Sequence, residues 1–154
     1  DILNTSPEAA AYHEDLDACE FVVLQEMAAS ESTRYADVIL PDASFAEKTG
    51  TFTNTERRVQ MVHQAIEPLG EARPDWQILT ELGSRLAAGW DYASPAQIMD
   101  EIAALTPIYA GVSHDRLSRG DRLQWPVESK AHNGTPILPI GLFGEVSWAV
   151  AEKI

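Results

Sequence analysis

Two kinds of apolar pattern alternate along the chain. Phe21-Val22-Val23-Leu24 is an unbroken run that ends abruptly in Gln25-Glu26, and Asp37-Val38-Ile39-Leu40 is a second run, stopped by Pro41. Continuous rather than alternating runs predict strands buried on both faces. Helical signals surround them. Ser6-Pro7-Glu8 supplies an N-cap, a proline for the first helical position and an acid in the first turn, opening a helix toward Cys19. Pro74 opens another, in which Trp76, Leu79, Leu82 and Leu86 form a stripe able to cover a sheet. Ser94-Pro95-Ala96-Gln97 reads as a capping box, with Ile98, Ile102 and Leu105 following on one face.

Between these helices, Arg58 to Ile66 alternates loosely through Val59, Met61, Val62 and Ala65 and predicts a further strand, and Glu67-Pro68-Leu69-Gly70 predicts a turn. The expected architecture is α/β, a parallel sheet flanked by helices. Residues 1–105 read as a partial α/β domain with following helices. From Thr106 onward Gly120, Pro126, Gly134, Pro136, Pro139, Gly141 and Gly144 break the text into short pieces, so 106–154 reads as a loop-rich extension. A parallel sheet of so few strands leaves its edges open, which predicts a covering partner or further sequence upstream.

Composition narrows the chemistry. The chain has 154 residues, one domain by length, and a domain of that size buries about 70% of its unfolded surface without staples. Cys19 is the single cysteine, which excludes an internal disulfide and any metal cluster built from several thiolates of this chain. His13, His63, His114 and His132 share no ligand spacing, so a metal site built by this chain is not expected either. Formal net charge is −13, and residues 1–47 hold eleven carboxylates against Arg34 alone. That balance repels phosphate backbones and argues against nucleic acid as a partner. With neither a signal peptide nor a long apolar run, the chain reads as soluble and cytoplasmic, with no membrane insertion by this segment.

Ligands of open parallel sheets bind beyond the carboxyl ends of the strands. Gln25-Glu26 stands at one such end, where the pair either meets ribose hydroxyls or simply ends a strand. Lys48 follows the other, through Pro41-Asp42-Ala43-Ser44-Phe45-Ala46-Glu47. Its ammonium suits a phosphate or a ring carbonyl oxygen, or is merely solvated. Asp75 lies in a first helical turn, which is reason enough for an acid there. A carboxylate can also accept the two adjacent N–H donors on the pairing edge of guanine. Arg57 and Arg58 either clamp an anion or pair locally, Arg58 or Arg57 with Glu56, and at least one is read as structural. Ser113-His114-Asp115 are neighbours in sequence and not a spatial triad.

Three ordered motifs go further: Thr33-Arg34-Tyr35-Ala36-Asp37-Val38-Ile39-Leu40-Pro41, then Phe45-Ala46-Glu47-Lys48-Thr49-Gly50-Thr51-Phe52-Thr53-Asn54-Thr55-Glu56-Arg57-Arg58-Val59-Gln60, then Gly70-Glu71-Ala72-Arg73-Pro74-Asp75-Trp76. From about Phe21 to Pro136 the chain resembles the molybdopterin oxidoreductase superfamily, specifically the large subunit of molybdenum- or tungsten-dependent formate dehydrogenase. The resemblance implies part of a Rossmann-like dinucleotide-binding domain holding a bis-molybdopterin guanine dinucleotide. It implies formate as substrate, oxidised by two electrons to carbon dioxide, and a 4Fe–4S cluster in an N-terminal part that these residues lack. The partners it implies are the rest of the catalytic subunit and electron-transfer subunits. Carried over by position, Gln25, Glu26, Lys48 and Asp75 match cofactor contacts, while no residue here matches the family's catalytic groups or metal ligand. The expectation is therefore a fragment of a catalytic subunit, inactive alone. The alternative is a non-catalytic structural domain like that of the large iron–sulfur subunit of respiratory NADH dehydrogenase, against which the Arg57-Arg58 pair is taken to favour the cofactor-binding branch.

Overall fold

The structure is a computed structural model and describes residues 2–138. It divides into two compact units: one comprises the chain up to Thr51 together with Met61–Ile98, the other Phe52–Gln60 together with the chain from Met99.

The first unit opens with α1 (Ile2–Thr5) and α2 (Ala9–Asp17). Ser6 does not cap α2, because Glu8 occupies the N-cap position; the Ser6 hydroxyl instead accepts the Glu8 N–H at 3.2 Å and tightens the turn before it. Strands β1 (Val23–Glu26) and β2 (Val38–Pro41) pair in parallel, Val23 opposite Val38 and Gln25 opposite Leu40. Each apolar run is thus a strand, as expected, and Gln25-Glu26 belongs to β1 rather than following it. A 3-10 turn, Glu31–Tyr35, carries the chain between the strands, its start fixed by the Ser30 N–H donating to Thr33 Oγ1 at 2.8 Å. The expected burial of both faces is not met. Val23, Val38 and Ile39 are 38–49% exposed, because the parallel pair is two strands wide and one element cannot cover both of its faces.

Helix α3 (Asp75–Arg85) starts one residue after Pro74. Its predicted stripe is left largely uncovered: Leu79, Leu82 and Leu86 are exposed, while Ile78 and Gly83 are buried. The narrow sheet explains this. Leu40 and Pro41 of β2 line a groove with Ile78 and Leu82, and the stripe runs on past the sheet. Gly83 lies under Trp90, where an added Cβ would sit 2.1 Å from the indole. Helix α4 (Pro95–Leu105) follows, with Met99 buried in place of the expected Ile102 and Leu105. Its start is secured by Gln97, whose side-chain oxygen accepts the Ala93 N–H at 2.7 Å.

A second sheet, not anticipated from the sequence, orders β3 (Gly50–Thr53), β4 (Arg58–Val62) and β5 (Leu123–Gln124). The connection Asn54–Arg57 is too short for anything but a hairpin, and β5 pairs antiparallel to β4, Val59 opposite Leu123. Asn54 organises the turn by accepting the Arg57 N–H at its carbonyl and the Arg58 N–H at its side chain. Arg57 adopts a left-handed conformation, φ 65°, which a non-glycine residue keeps only when its surroundings impose it. Here they do, through guanidinium bonds to the carbonyls of Trp125 and Pro136.

The second unit is packed around Val59, Val112, Leu117, Leu123 and Val127. Short helix α5 (His114–Ser118) is capped by the Ser113 hydroxyl, which accepts the Arg116 N–H at 3.3 Å. Much of the region read from sequence as loop-rich is therefore held around a small apolar core, and the residues from Pro139 on lie outside those described.

Candidate nucleotide site

Four predicted residues sit around the carboxyl ends of β1 and β2, and three of them are joined by hydrogen bonds. Gln25 projects from β1 and donates through Nε2 to Asp75 Oδ1 at 2.9 Å. Lys48 donates through Nζ to Asp75 Oδ2 and lies 3.5 Å from Asp42 Oδ1. Glu26, the next residue along the strand, points away from Gln25 by the strand's alternation and takes a hydrogen bond from the Ser30 hydroxyl. Its backbone still belongs to the rim, because the Glu26 carbonyl accepts the Asp42 N–H at 3.1 Å.

The loop carrying Lys48 is shaped by its neighbour. Glu47 is buried and accepts two backbone N–H groups, Ser44 at 2.7 Å and Leu69 at 2.8 Å, so one carboxylate folds the segment after β2 and ties it to the turn before α3. These bonds, the Ser44 amide first, hold the Glu47 carboxyl below its ordinary range. Asp75 is presented by the start of α3, and the pairing of Arg73 with Pro41 and Ala43 through backbone bonds of 3.1 and 3.0 Å sets that start against the end of β2.

Charge at the rim is unequally held. Burial and the neighbouring Asp75 carboxylate push Asp42 up to about 6, with Lys48 only partly opposing them. Burial also acts to raise Asp75, but hydrogen bonds from Lys48 and Asp42 outweigh it and hold the carboxyl below its ordinary range. Asp75 therefore stays ionised while Asp42 takes up the first proton. Glu26 is lowered by the Ser30 hydroxyl.

The rim offers a carboxylate acceptor more openly than a cation. An ionised carboxylate has about four lone-pair positions; Gln25 and Lys48 use one on each oxygen of Asp75, and its side chain remains 43% exposed. Two adjacent N–H donors can be accepted there. Lys48, by contrast, already faces two carboxylates. Asp42 was not among the residues expected from sequence, although an acid directly after the strand-ending Pro41 and shortly before Lys48 was the available signal. Arg57 and Arg58 are both engaged within the chain, Arg57 on the two carbonyls and Arg58 on Glu56 at 3.1 Å, which is the local pairing read as one of the two alternatives from sequence.

Comparison with known proteins identifies the family. The model of the family described as "Molybdopterin oxidoreductase" matches residues 2–85. The chain belongs to the molybdopterin oxidoreductase family. It is 48% identical over 126 residues to "Probable oxidoreductase YjgC" of Bacillus subtilis (strain 168), covering 82% of this chain and 13% of that protein. It is 52% identical over 109 residues to a "Putative formate dehydrogenase" of Staphylococcus aureus (strain USA300), covering 71% of this chain and 11% of the relative. The chain thus spans about an eighth of the length of the curated relatives it matches. Among solved structures, acetylene hydratase from Pelobacter acetylenicus superposes with a TM-score of 0.56 at 17% identity, over 79% of this chain and 16% of that one, which supports the fold alone. Among the described residues no helix is long and apolar enough to cross a membrane, and no group of histidine, cysteine and acidic residues could hold a metal ion.

Proposed function

We propose that this chain contributes guanine and ribose contacts to a bis-molybdopterin guanine dinucleotide in the catalytic subunit of a formate dehydrogenase. The observation that carries the reading is the meeting of Gln25, Lys48 and Asp75 at the carboxyl rim of β1 and β2 in a chain of the molybdopterin oxidoreductase family. Ligands of parallel sheets are held at that rim. In this role Asp75 accepts the N–H donors of the base, and Gln25 and Lys48 orient the carboxylate from behind. Glu26, turned toward Ser30, lies at the edge where a ribose hydroxyl can be met. The bound molybdenum or tungsten would supply two-electron chemistry on formate, while these residues only bind and orient.

Formate as substrate is supported by the Staphylococcus aureus relative's name. A 4Fe–4S cluster, electron-transfer subunits and a cytoplasmic setting complete the proposal. The test is to purify the intact protein from its host under anaerobic conditions, then measure molybdenum, tungsten and the GMP released by acid hydrolysis. GMP together with one of the metals is expected. A folded protein carrying neither metal and releasing no GMP would overturn the reading in favour of a scaffold domain.

A further inference from the structure

We infer that Asp42 is a positioning residue of the nucleotide site: it holds the Lys48 ammonium over the end of β2 and, through that cation, sets the charge that an incoming guanosine pyrophosphate meets. The inference rests on the nucleotide reading above and adds a residue to it. Asp42 is fixed on both sides by backbone bonds, its own N–H to Glu26 and the Ala43 N–H to Arg73. Its side chain is 13% exposed, and Lys48, 20% exposed, lies 3.5 Å away. The charged groups facing it are Lys48 and Asp75. Arg73, bridged to Asp42 through the backbone, sends its guanidinium to Glu81 at 2.7 Å, and Glu26 is turned to Ser30.

Two carboxylates thus share one ammonium, leaving the cluster with one net negative charge whenever both are ionised. That charge opposes a pyrophosphate, and it disappears when Asp42 is neutral. Burial beside Asp75 places this change near pH 6, and Asp75, held ionised by Lys48, keeps its acceptor function throughout. Asp42 therefore does two separable things. It steadies Lys48, and it makes nucleotide affinity depend on pH through a group that never touches the base.

The probe is GDP-mannose, whose pyrophosphate diester keeps a constant charge between about pH 5 and about pH 8. Binding to the chain is measured by ligand-observed NMR across that range, with Asp42→Asn alongside. Wild-type affinity should rise about fivefold on going to the acid end, the order expected for one charge acting across ~8 Å of partly solvated protein. The Asp42→Asn protein should bind at neutral pH as tightly as wild type does at acid pH, with a flat profile. Charged groups elsewhere in the chain are common to both proteins and cancel in the comparison. Binding with superimposable pH profiles overturns this role for Asp42 alone. Failure of the wild type to bind the probe at any pH overturns the nucleotide reading, and this inference with it.

Discussion

Removing the Arg116 guanidinium should collapse the second unit. Arg116 is 6% exposed and makes four hydrogen bonds: Nε to Asp121 at 2.7 Å, one terminal nitrogen to the Gly111 carbonyl at 2.7 Å, and the other to the His132 carbonyl at 3.2 Å and Asn133 Oδ1 at 2.6 Å. It is the hub through which α5, the segment before it and the loop at 132–133 are held together. Replacement by alanine leaves a part-buried carboxylate, two carbonyls and an amide oxygen short of a donor at once. Breaking a fully buried charge pair by deleting one partner costs about 3–5 kcal/mol; Asp121 keeps a 35% exposed side chain, so the loss here should be about 2–3 kcal/mol. Lysine preserves the charge but offers a single point of donation where the fork reached four acceptors, so Arg116→Lys should lose about 1–3 kcal/mol. Urea denaturation gives the loss, and amide hydrogen exchange over 111–127 shows whether it is local to this unit. An Arg116→Ala protein within about 1 kcal/mol of wild type would refute the claim that this network holds the unit together.

Two further substitutions test other parts of the structure. Gly134 has φ 95°, and a Cβ there would lie 1.7 Å from the Gln124 carbonyl oxygen, so Gly134→Ala should cost about 1–3 kcal/mol through backbone movement at β5; an unchanged thermal midpoint would contradict that packing. Asp42 binds its proton more tightly folded than unfolded, its ordinary value of 3.8 rising to about 6. Stability linked to it is therefore present below the ordinary value and lost as pH rises through about 6. Asp42→Asn should gain about 1–3 kcal/mol over wild type at pH 7.5 and lose that advantage by about pH 4. A constant difference across that range, read from urea midpoints, would show that Asp42 is not a buried acid. Asp75 works in the opposite direction, its carboxyl being lowered by the hydrogen bonds from Lys48 and Asp42 that outweigh its burial.

What could be read from the sequence was local in origin. Strands Val23–Glu26 and Val38–Pro41 form on the apolar runs at 21–24 and 38–40 because nothing there interrupts an extended segment, and Pro74, Pro95 and Gln97 mark helix starts through chemistry confined to a few residues. Burial was not legible in the same way. The Leu79, Leu82 and Leu86 stripe promises a covered face, yet coverage depends on how many strands lie opposite, which no helix can encode about itself. The β3–β4–β5 sheet was half visible: Arg58 to Ile66 alternated, but β5 is two residues long, and its place beside β4 is fixed by Arg57 reaching Trp125 across a long loop of sequence. At the site, residue types and strand ends left Gln25, Glu26, Lys48 and Asp75 open to a structural reading, and the family resemblance singled them out, whereas Asp42 acquires its character only from the burial and neighbours that folding supplies.

Recognition of a guanine edge by Asp75 is the step on which the proposed function rests, and base selectivity measures it directly. Affinities of the chain for GDP-mannose and ADP-glucose at neutral pH compare ligands alike in their pyrophosphate and differing chiefly in the base. A bidentate pair of this kind discriminates by roughly 1–3 kcal/mol, so guanine should be preferred by about fivefold or more, with the preference lost in Asp75→Asn. Equal affinity for the two ligands, or a guanine preference unchanged in Asp75→Asn, would contradict it.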